Sequence, residues 1–180
     1  MRYFPAFFVT LILVALLAAI PRSGRCQDEA VPPNKPDVKV SLAVVEGHQS
    51  STPQRVIIEN ISDKPQSHFD EWNSWGYGNL TLQWTDAEGR TGTIAKVPGA
   101  WDQNGPSTTV LQPGEALVRE ITDDPKLWQG WPGGNGSITL TVKVTYQSTG
   151  EPKIAGSAAG WTGTVTSKEK TISIWRPVAP

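Results

Sequence analysis

The chain of 180 residues contains 16 Lys and Arg against 17 Asp and Glu, so its formal net charge is −1. This balance argues against nucleic acid as a partner, because nucleic acids bind to basic surfaces. The only cysteine is Cys26. No disulfide can therefore form within the chain, and the fold must be stabilised by burial of apolar surface.

Residues 1–26 have the pattern of a secretory signal peptide. A basic start at Arg2 is followed by an apolar run from Phe4 to Ile20 and by a polar segment that ends at Cys26. An uncleaved membrane anchor is the alternative interpretation, since the run is close to the lower limit of about 17 residues for a spanning helix. We favour cleavage, and therefore predict a secreted or periplasmic protein with no membrane span after signal cleavage.

The remainder of the sequence divides into a tether, one domain and a short tail. Residues 27–36 are polar and rich in proline, which predicts a flexible tether. Strand patterns occupy residues 37–177, a length that suits a single domain. Residues 178–180 form the tail.

Within the domain, apolar and polar residues alternate in short runs separated by turn residues, which predicts seven or eight strands. The last two runs are either separate strands or one strand broken at residues 167–170. No window has the period of an amphipathic helix, so there are no crossover helices for a parallel sheet. The pattern predicts an all-β, antiparallel, immunoglobulin-like β-sandwich without a disulfide. There are more runs than predicted strands, because the last two can form one strand and residues 108–111 lead through a turn directly into 116–121. The nine runs are residues 38–44, 55–61, 79–85, 91–97, 108–111, 116–121, 138–146, 161–166 and 171–175.

Two loops between the predicted strands are rich in aromatic residues. The first spans residues 69–78, and the second spans residues 122–136. Alternation assigns Trp84 and Trp161 to the core and places Trp175 on the opposite face of its strand. The other five of the eight tryptophans fall in loops, and they are Trp72, Trp75, Trp101, Trp128 and Trp131.

Two interpretations of the loop tryptophans remain open. They fold back to cover the ends of a sandwich that lacks a disulfide, or some stay exposed as a binding surface. Exposed aromatic patches mark interaction sites, and Trp is prominent in binding hot spots. The candidate binding surface comprises Trp72, Trp75, Tyr77, Trp128 and Trp131, with Asp70, Glu71 and Gln129 as polar partners.

The sequence offers little support for catalysis or metal binding. A blue-copper site needs a Cys and usually a Met, and the single Cys and single Met both lie in residues 1–26. The only histidines, His48 and His68, fall in predicted solvated loops and are too few for a zinc site. No Gly-x-Ser-x-Gly motif occurs. We therefore predict no enzyme, no metal and no cofactor.

Two alternatives involve the loop carboxylates. The pairs Asp70-Glu71 and Asp123-Asp124 could act as the acid and base of a glycosidase, and His68 beside the first pair could hold a metal weakly. Loop carboxylates could also bind calcium, although none has the spacing of a calcium-binding loop. Turn hydrogen bonds explain such residues more simply. The carboxylates considered for calcium are Asp63, Asp86, Glu88, Asp102, Asp123 and Asp124.

Three short segments are distinctive, namely Ser74-Trp75-Gly76-Tyr77, Trp128-Gln129-Gly130 and Trp161-Thr162-Gly163. In this combination the chain resembles a group of uncharacterised secreted bacterial proteins with an immunoglobulin-like β-sandwich. That resemblance implies the fold and brings no function with it.

The layout also resembles, less specifically, the bacterial intracellular proteinase-inhibitor domains. The resemblance lies in scaffold features between about residues 38 and 146, and inhibition does not follow from them. These features are the strand end Glu59-Asn60-Ile61-Ser62, the turn Asp86-Ala87-Glu88-Gly89, Trp101 and the turn Leu111-Gln112-Pro113-Gly114-Glu115.

Taken together, the residues favour a non-catalytic binding or accessory domain that uses its aromatic loops. An envelope or extracellular protein is the preferred partner. A polysaccharide bound by loop tryptophans is the alternative, and a role like that of a protease inhibitor is the third possibility.

Overall fold

The computed structural model describes residues 36–44, 54–101, 105–149 and 160–176. The predicted signal peptide, the tail and His48 lie outside these ranges, as does the tether except for Pro36. Within them there are eleven strands and no helix: β1 Val38–Ala43, β2 Gln54–Asn60, β3 Gln66–Phe69, β4 Leu80–Asp86, β5 Thr91–Lys96, β6 Thr108–Leu111, β7 Ala116–Ile121, β8 Trp128–Gln129, β9 Gly136–Ser148, β10 Gly163–Thr166 and β11 Lys170–Arg176. Accordingly, none of the described residues belongs to a helix with the length and hydrophobicity needed to cross a membrane.

The described strands pair in three antiparallel sheets. A three-stranded sheet has the order β1-β2-β7, and a six-stranded sheet has the order β10-β9-β4-β5-β8 with β11 also paired to β9. A small sheet pairs β3 with β6. This arrangement confirms the prediction of an all-β antiparallel fold.

The two larger sheets share one core. Its buried side chains include Val40 and Ile58 from the three-stranded sheet and Leu82 and Val144 from the six-stranded sheet. Along β2 and β4 every second residue is buried, which is the period expected of strands with one face on a core. Trp84 lies in this core as predicted, and its indole N–H donates to the carbonyl of Gly130 at 2.9 Å.

The number of strands is larger than predicted. Residues 66–69 form β3, which the sequence analysis did not identify because Gln-Ser-His-Phe lacks the alternation of a strand. The strand β8 has only two residues and lies inside the second predicted loop. Both strands are specified by their partners, β6 and β5, rather than by a local pattern.

The last two strands follow the same edge of β9. Thr166 pairs with Thr145, and Lys170 pairs with Val142. Between these two pairs, the N–H of Val144 on β9 donates to the side-chain hydroxyl of Ser167 at 3.0 Å and not to a backbone carbonyl. Of the two predicted alternatives, the structure therefore has two separate strands along this edge, with residues 167–169 between them.

Candidate functional site

The first aromatic loop, residues 70–79, joins β3 to β4 and is held by a buried amide. The side chain of Asn73 is inaccessible to solvent. Its Oδ1 accepts the N–H groups of Trp75 at 3.1 Å and Gly76 at 3.0 Å, while its Nδ2 donates to the carbonyl of Ser107 at 3.1 Å. A buried amide with these partners fixes the backbone of the loop, because leaving any of them unpaired costs about 1–3 kcal/mol.

The carboxylate of Glu71 connects this loop to both large sheets. One oxygen lies 2.7 Å from Nζ of Lys96 on β5, and the other lies 3.4 Å from Nε of Arg119 on β7. The Lys96 ammonium also lies over the rings of Tyr77, at 5.1 Å, and Trp128, at 4.7 Å. Such cation–π contacts are stronger when the cation is desolvated, and the side chain of Lys96 is only 11% exposed.

The neighbouring carboxylate, Asp70, is bound by hydroxyl groups. It accepts hydrogen bonds from Ser107 Oγ and, at 2.7 Å, from Thr109 Oγ1. Asp70 and Glu71 therefore serve first to attach the loop to the strands around it.

The aromatic side chains of the first loop have different environments. Trp72 is 63% exposed, the largest exposed fraction among the large apolar side chains of the described residues. Trp75 is half-buried and packs against Phe69, with ring centroids 6.5 Å apart. Tyr77 is half-buried, and its hydroxyl donates to the carbonyl of Val97 at 2.9 Å.

The second aromatic loop, residues 122–136, is largely packed against the protein. Trp128 is only 1% exposed and belongs to β8, so it cannot contact a ligand and is removed from the candidate binding surface. Trp131 is half-buried, its N–H donates to the carbonyl of Thr122 at 3.2 Å, and the Arg176 guanidinium covers its ring at 5.3 Å. Gln129 is exposed.

An open cleft of about 470 Å³ lies beside the exposed indole, lined by Asp70, Glu71, Trp72 and Arg119. Only three of the eight predicted surface residues line it. Trp75 and Tyr77 are half-buried residues of the first loop, Trp128 lies in the core, and Trp131 and Gln129 belong to the second loop.

Arg119 is the lining residue that the sequence analysis missed. It shares the inward face of β7 with Leu117 and Ile121. A charged residue at an inward position of an amphipathic strand was a detectable signal, because buried charges require a partner. The partner, Glu71, is distant in sequence and was visible only in the fold.

His68 is buried, and the prediction that it lies in a solvated loop is wrong. It is 1% exposed on β3, its Nδ1 lies 3.1 Å from the hydroxyl of Tyr146, and its ring stacks on Trp161 at 6.0 Å. Burial, together with the nearby Arg119 charge, lowers the pKa of His68 to about 4. Burial likewise raises the pKa of Tyr146 to about 12. The pair is therefore neutral near pH 7.

Three of the loop carboxylates considered for calcium form ion pairs, Asp124 accepts the N–H of Lys126 at 2.9 Å, and Asp102 lies outside the described residues. Asp86 and Glu88 both contact Arg90, at 2.6 and 3.1 Å, and Asp123 lies 3.7 Å from Arg176. Within the described ranges, no group of three or more His, Cys, Asp and Glu side chains is placed to hold a metal ion. These contacts support the simpler interpretation, in which the carboxylates stabilise the turns around them rather than bind calcium.

No protein-family model, no curated protein and no solved structure matches this chain. The two resemblances noted in the sequence and the immunoglobulin-like topology therefore stay predictions. Function must be argued from the geometry of the cleft beside Trp72.

Proposed function

We propose that this is a secreted or periplasmic, non-catalytic binding domain that contacts an envelope or extracellular protein through the surface around Trp72. The observation that carries the proposal is the 63% exposure of Trp72 on a loop whose backbone is held by the buried Asn73 amide. A large aromatic side chain that is exposed to water on an ordered loop is a typical centre of a protein interface. Because the loop is already ordered, little conformational entropy is lost on binding.

The groups around Trp72 suit the rim of a protein interface. Arg119 and Glu71 form an ion pair at 3.4 Å with side chains 19% and 28% exposed, so each retains some surface for a partner. Arg and Trp are enriched in binding hot spots, where they are surrounded by polar groups. The cleft therefore combines an apolar anchor with a polar rim.

The contacts of the two carboxylates support the non-catalytic part of the proposal. A general acid or base must be free to exchange a proton with a substrate. Asp70 accepts two hydroxyl hydrogen bonds, and Glu71 contacts a lysine and an arginine. Both groups are thus committed to holding the loop.

The direct experiment is photo-crosslinking in the native envelope with a photoreactive phenylalanine analogue at position 72. The matched control places the same analogue at Trp175, which is also exposed, at 45%, but lies on β11. We expect a discrete protein adduct from position 72 alone, which unlabelled wild-type protein suppresses. Identical adducts from both positions, or none from position 72, would contradict the proposal.

A second measurement uses the partner identified in that adduct. Trp72→Ala should weaken its binding by roughly thirtyfold, the effect of losing a hot-spot side chain worth about 2 kcal/mol. Trp175→Ala should bind with wild-type affinity.

A polysaccharide bound in the same cleft is the second candidate. It is favoured by the cleft itself, where an exposed indole lies beside two carboxylates and a guanidinium, groups that can stack on a sugar ring and hydrogen-bond its hydroxyls. Soluble oligosaccharides should then suppress the adduct at position 72, whereas a protein partner should be unaffected by them.

A further inference from the structure

The outer face of the six-stranded sheet is an array of hydroxyl groups, here called the hydroxyl face. Ten of the 17 threonines of the chain lie at its outward strand positions, together with one serine in the last strand. Most of them are exposed, while the alternate residues of the same strands fill the core. The residues of the hydroxyl face are Thr81, Thr85, Thr91, Thr93, Thr139, Thr141, Thr145, Thr164, Thr166, Thr171 and Ser173.

These hydroxyls are aligned in rows across the strands. One row runs Thr171, Thr141, Thr85 and Thr91, because each of these residues pairs directly with the next. Neighbouring members of a row are separated by the strand spacing of about 4.8 Å. Strand pairing thus makes the array periodic.

In a second row, two hydroxyls of neighbouring strands lie closer together than the strands themselves. This row contains Thr166, Thr145 and Thr81, again in direct register. Within it Oγ1 of Thr145 and Oγ1 of Thr166 are only 3.3 Å apart. The hydroxyls of neighbouring strands therefore lie within reach of a single ligand group.

The outer face of the three-stranded sheet has a different composition. Its described strand positions carry no threonine, and it presents the ion pairs Lys39–Glu59, at 2.7 Å, and Arg55–Glu120, at 3.3 Å, beside the exposed Val118. The β-propensity of threonine would favour it equally on both outer faces. Propensity alone therefore does not explain its concentration on one of them.

The hydroxyl face is nearly uncharged and rich in hydroxyl groups, and this composition favours some classes of ligand over others. Its strand positions carry no carboxylate and only one cation, Lys143, which lies 3.0 Å from Glu169. A nucleic acid requires many cations, and the centre of a protein interface is usually apolar. A threonine hydroxyl both donates and accepts hydrogen bonds, as the hydroxyls of a neutral sugar do.

An exposed indole extends the array at one end. Trp175 is 45% exposed and follows Thr171 and Ser173 on the outward side of β11. An indole at this position can stack against the C–H face of a sugar ring whose hydroxyls contact the array.

We propose that the hydroxyl face binds a neutral polysaccharide chain, with Trp175 as the stacking residue. This site lies on sheet positions separate from the Trp72 cleft, and it does not depend on the function proposed for that cleft.

The test measures retention of the purified protein on four insoluble neutral polysaccharides, namely cellulose, chitin, curdlan and starch. The principal variant is Thr141→Val/Thr145→Val, which removes two hydroxyls and keeps the β-branched shape that the strand favours. Loss of two hydrogen bonds should weaken retention by about tenfold on the polysaccharide that binds. Trp175→Ala should weaken retention at least as much.

Two controls separate this site from the rest of the surface. Ser41→Ala removes a hydroxyl from the outer face of the three-stranded sheet, and Trp72→Ala removes the exposed indole of the cleft; neither should change retention. Circular dichroism and thermal unfolding verify that each variant is folded. The proposal is overturned if no polysaccharide retains the protein, if the double threonine variant binds as the wild type does, or if Trp72→Ala alone abolishes retention.

Discussion

The two tryptophan-rich loops have similar compositions and different structural roles. In the loop of residues 70–79, Trp72 is 63% exposed, whereas in the loop of residues 122–136, Trp128 is 1% exposed. The side chain that the first loop buries is instead the amide of Asn73, which has no exposed surface. Tryptophan content alone therefore does not identify a binding loop.

Strand pairing is the physical origin of this difference. Trp128 pairs with Lys96 at the edge of the six-stranded sheet, and this register directs its indole into the core. Trp72 has no strand partner and lies in a turn. The second loop thus closes the end of the sandwich, and the first presents a side chain to solvent.

The largest expected effect comes from the second loop. Trp128→Ala leaves a cavity in the core and removes the ring beneath Lys96, so the free energy of unfolding should fall by about 3–5 kcal/mol. Urea denaturation monitored by circular dichroism measures it. A loss below about 1 kcal/mol would mean that the indole does not stabilise the core.

Acid should weaken the strand that leads into the first loop. The pKa of His68 is lowered from 6.5 to about 4 by burial and by the Arg119 charge, so the unfolded state binds the proton first. The stability contributed by neutral His68 is fully present above pH 6.5 and is lost as the pH falls towards 4, by on the order of 3 kcal/mol.

Urea denaturation between pH 7 and pH 4 tests this expectation. His68→Gln should reduce the pH dependence of the free energy of unfolding, whatever its effect at pH 7. His48→Gln, which changes the only other histidine of the chain, is the control. Equal pH dependence in wild type and His68→Gln would refute the assignment.

Two glycines in the first loop offer a matched pair. A Cβ at Gly76 would lie 2.2 Å from the carbonyl oxygen of Asp70, whereas a Cβ at Gly78 would meet no atom within 4 Å. Gly76→Ala should therefore cost about 2 kcal/mol or more of unfolding free energy and Gly78→Ala less than about 0.5 kcal/mol. Equal thermal unfolding temperatures would show that the loop is not closed on its own backbone.

The smallest effect on stability is expected at Trp72. Because its side chain is mostly solvated, Trp72→Phe should change the free energy of unfolding by no more than about 0.5 kcal/mol. It should, however, lower the fraction of tryptophan fluorescence that iodide quenches. Trp128→Phe removes a buried tryptophan that iodide does not reach, so it should not lower this fraction. A lower quenchable fraction in Trp128→Phe than in Trp72→Phe would reverse the roles of the two loops.

Much of the scaffold was predictable because it rests on local alternation. The runs 80–86 and 136–148 are strands with buried alternate residues, and both had been identified within two residues of their ends. The short strands β3 and β8 were not predicted, because Gln-Ser-His-Phe lacks the alternation of a strand and two residues carry no period. Their pairing depends on β6 and β5, which are distant in sequence.

The candidate site was predictable only in part. Trp72, Asp70 and Glu71 were identified from composition, and they do lie together at the cleft. Arg119 was missed, and which of the loop tryptophans are buried was left open, since both follow from contacts between segments far apart in the chain. The alternation in each strand places the residues of the hydroxyl face at outward positions. Only the strand register shows that they are aligned in rows.

The sequence by itself determined that this chain forms antiparallel strands stabilised by apolar burial without a disulfide, because period-two alternation and cysteine content are local properties. The tertiary structure decided which tryptophans face solvent, which carboxylates are bound by cations and which histidine is buried. These outcomes depend on register and on the approach of distant segments. The same residue types therefore became a core in one loop and a candidate binding surface in the other.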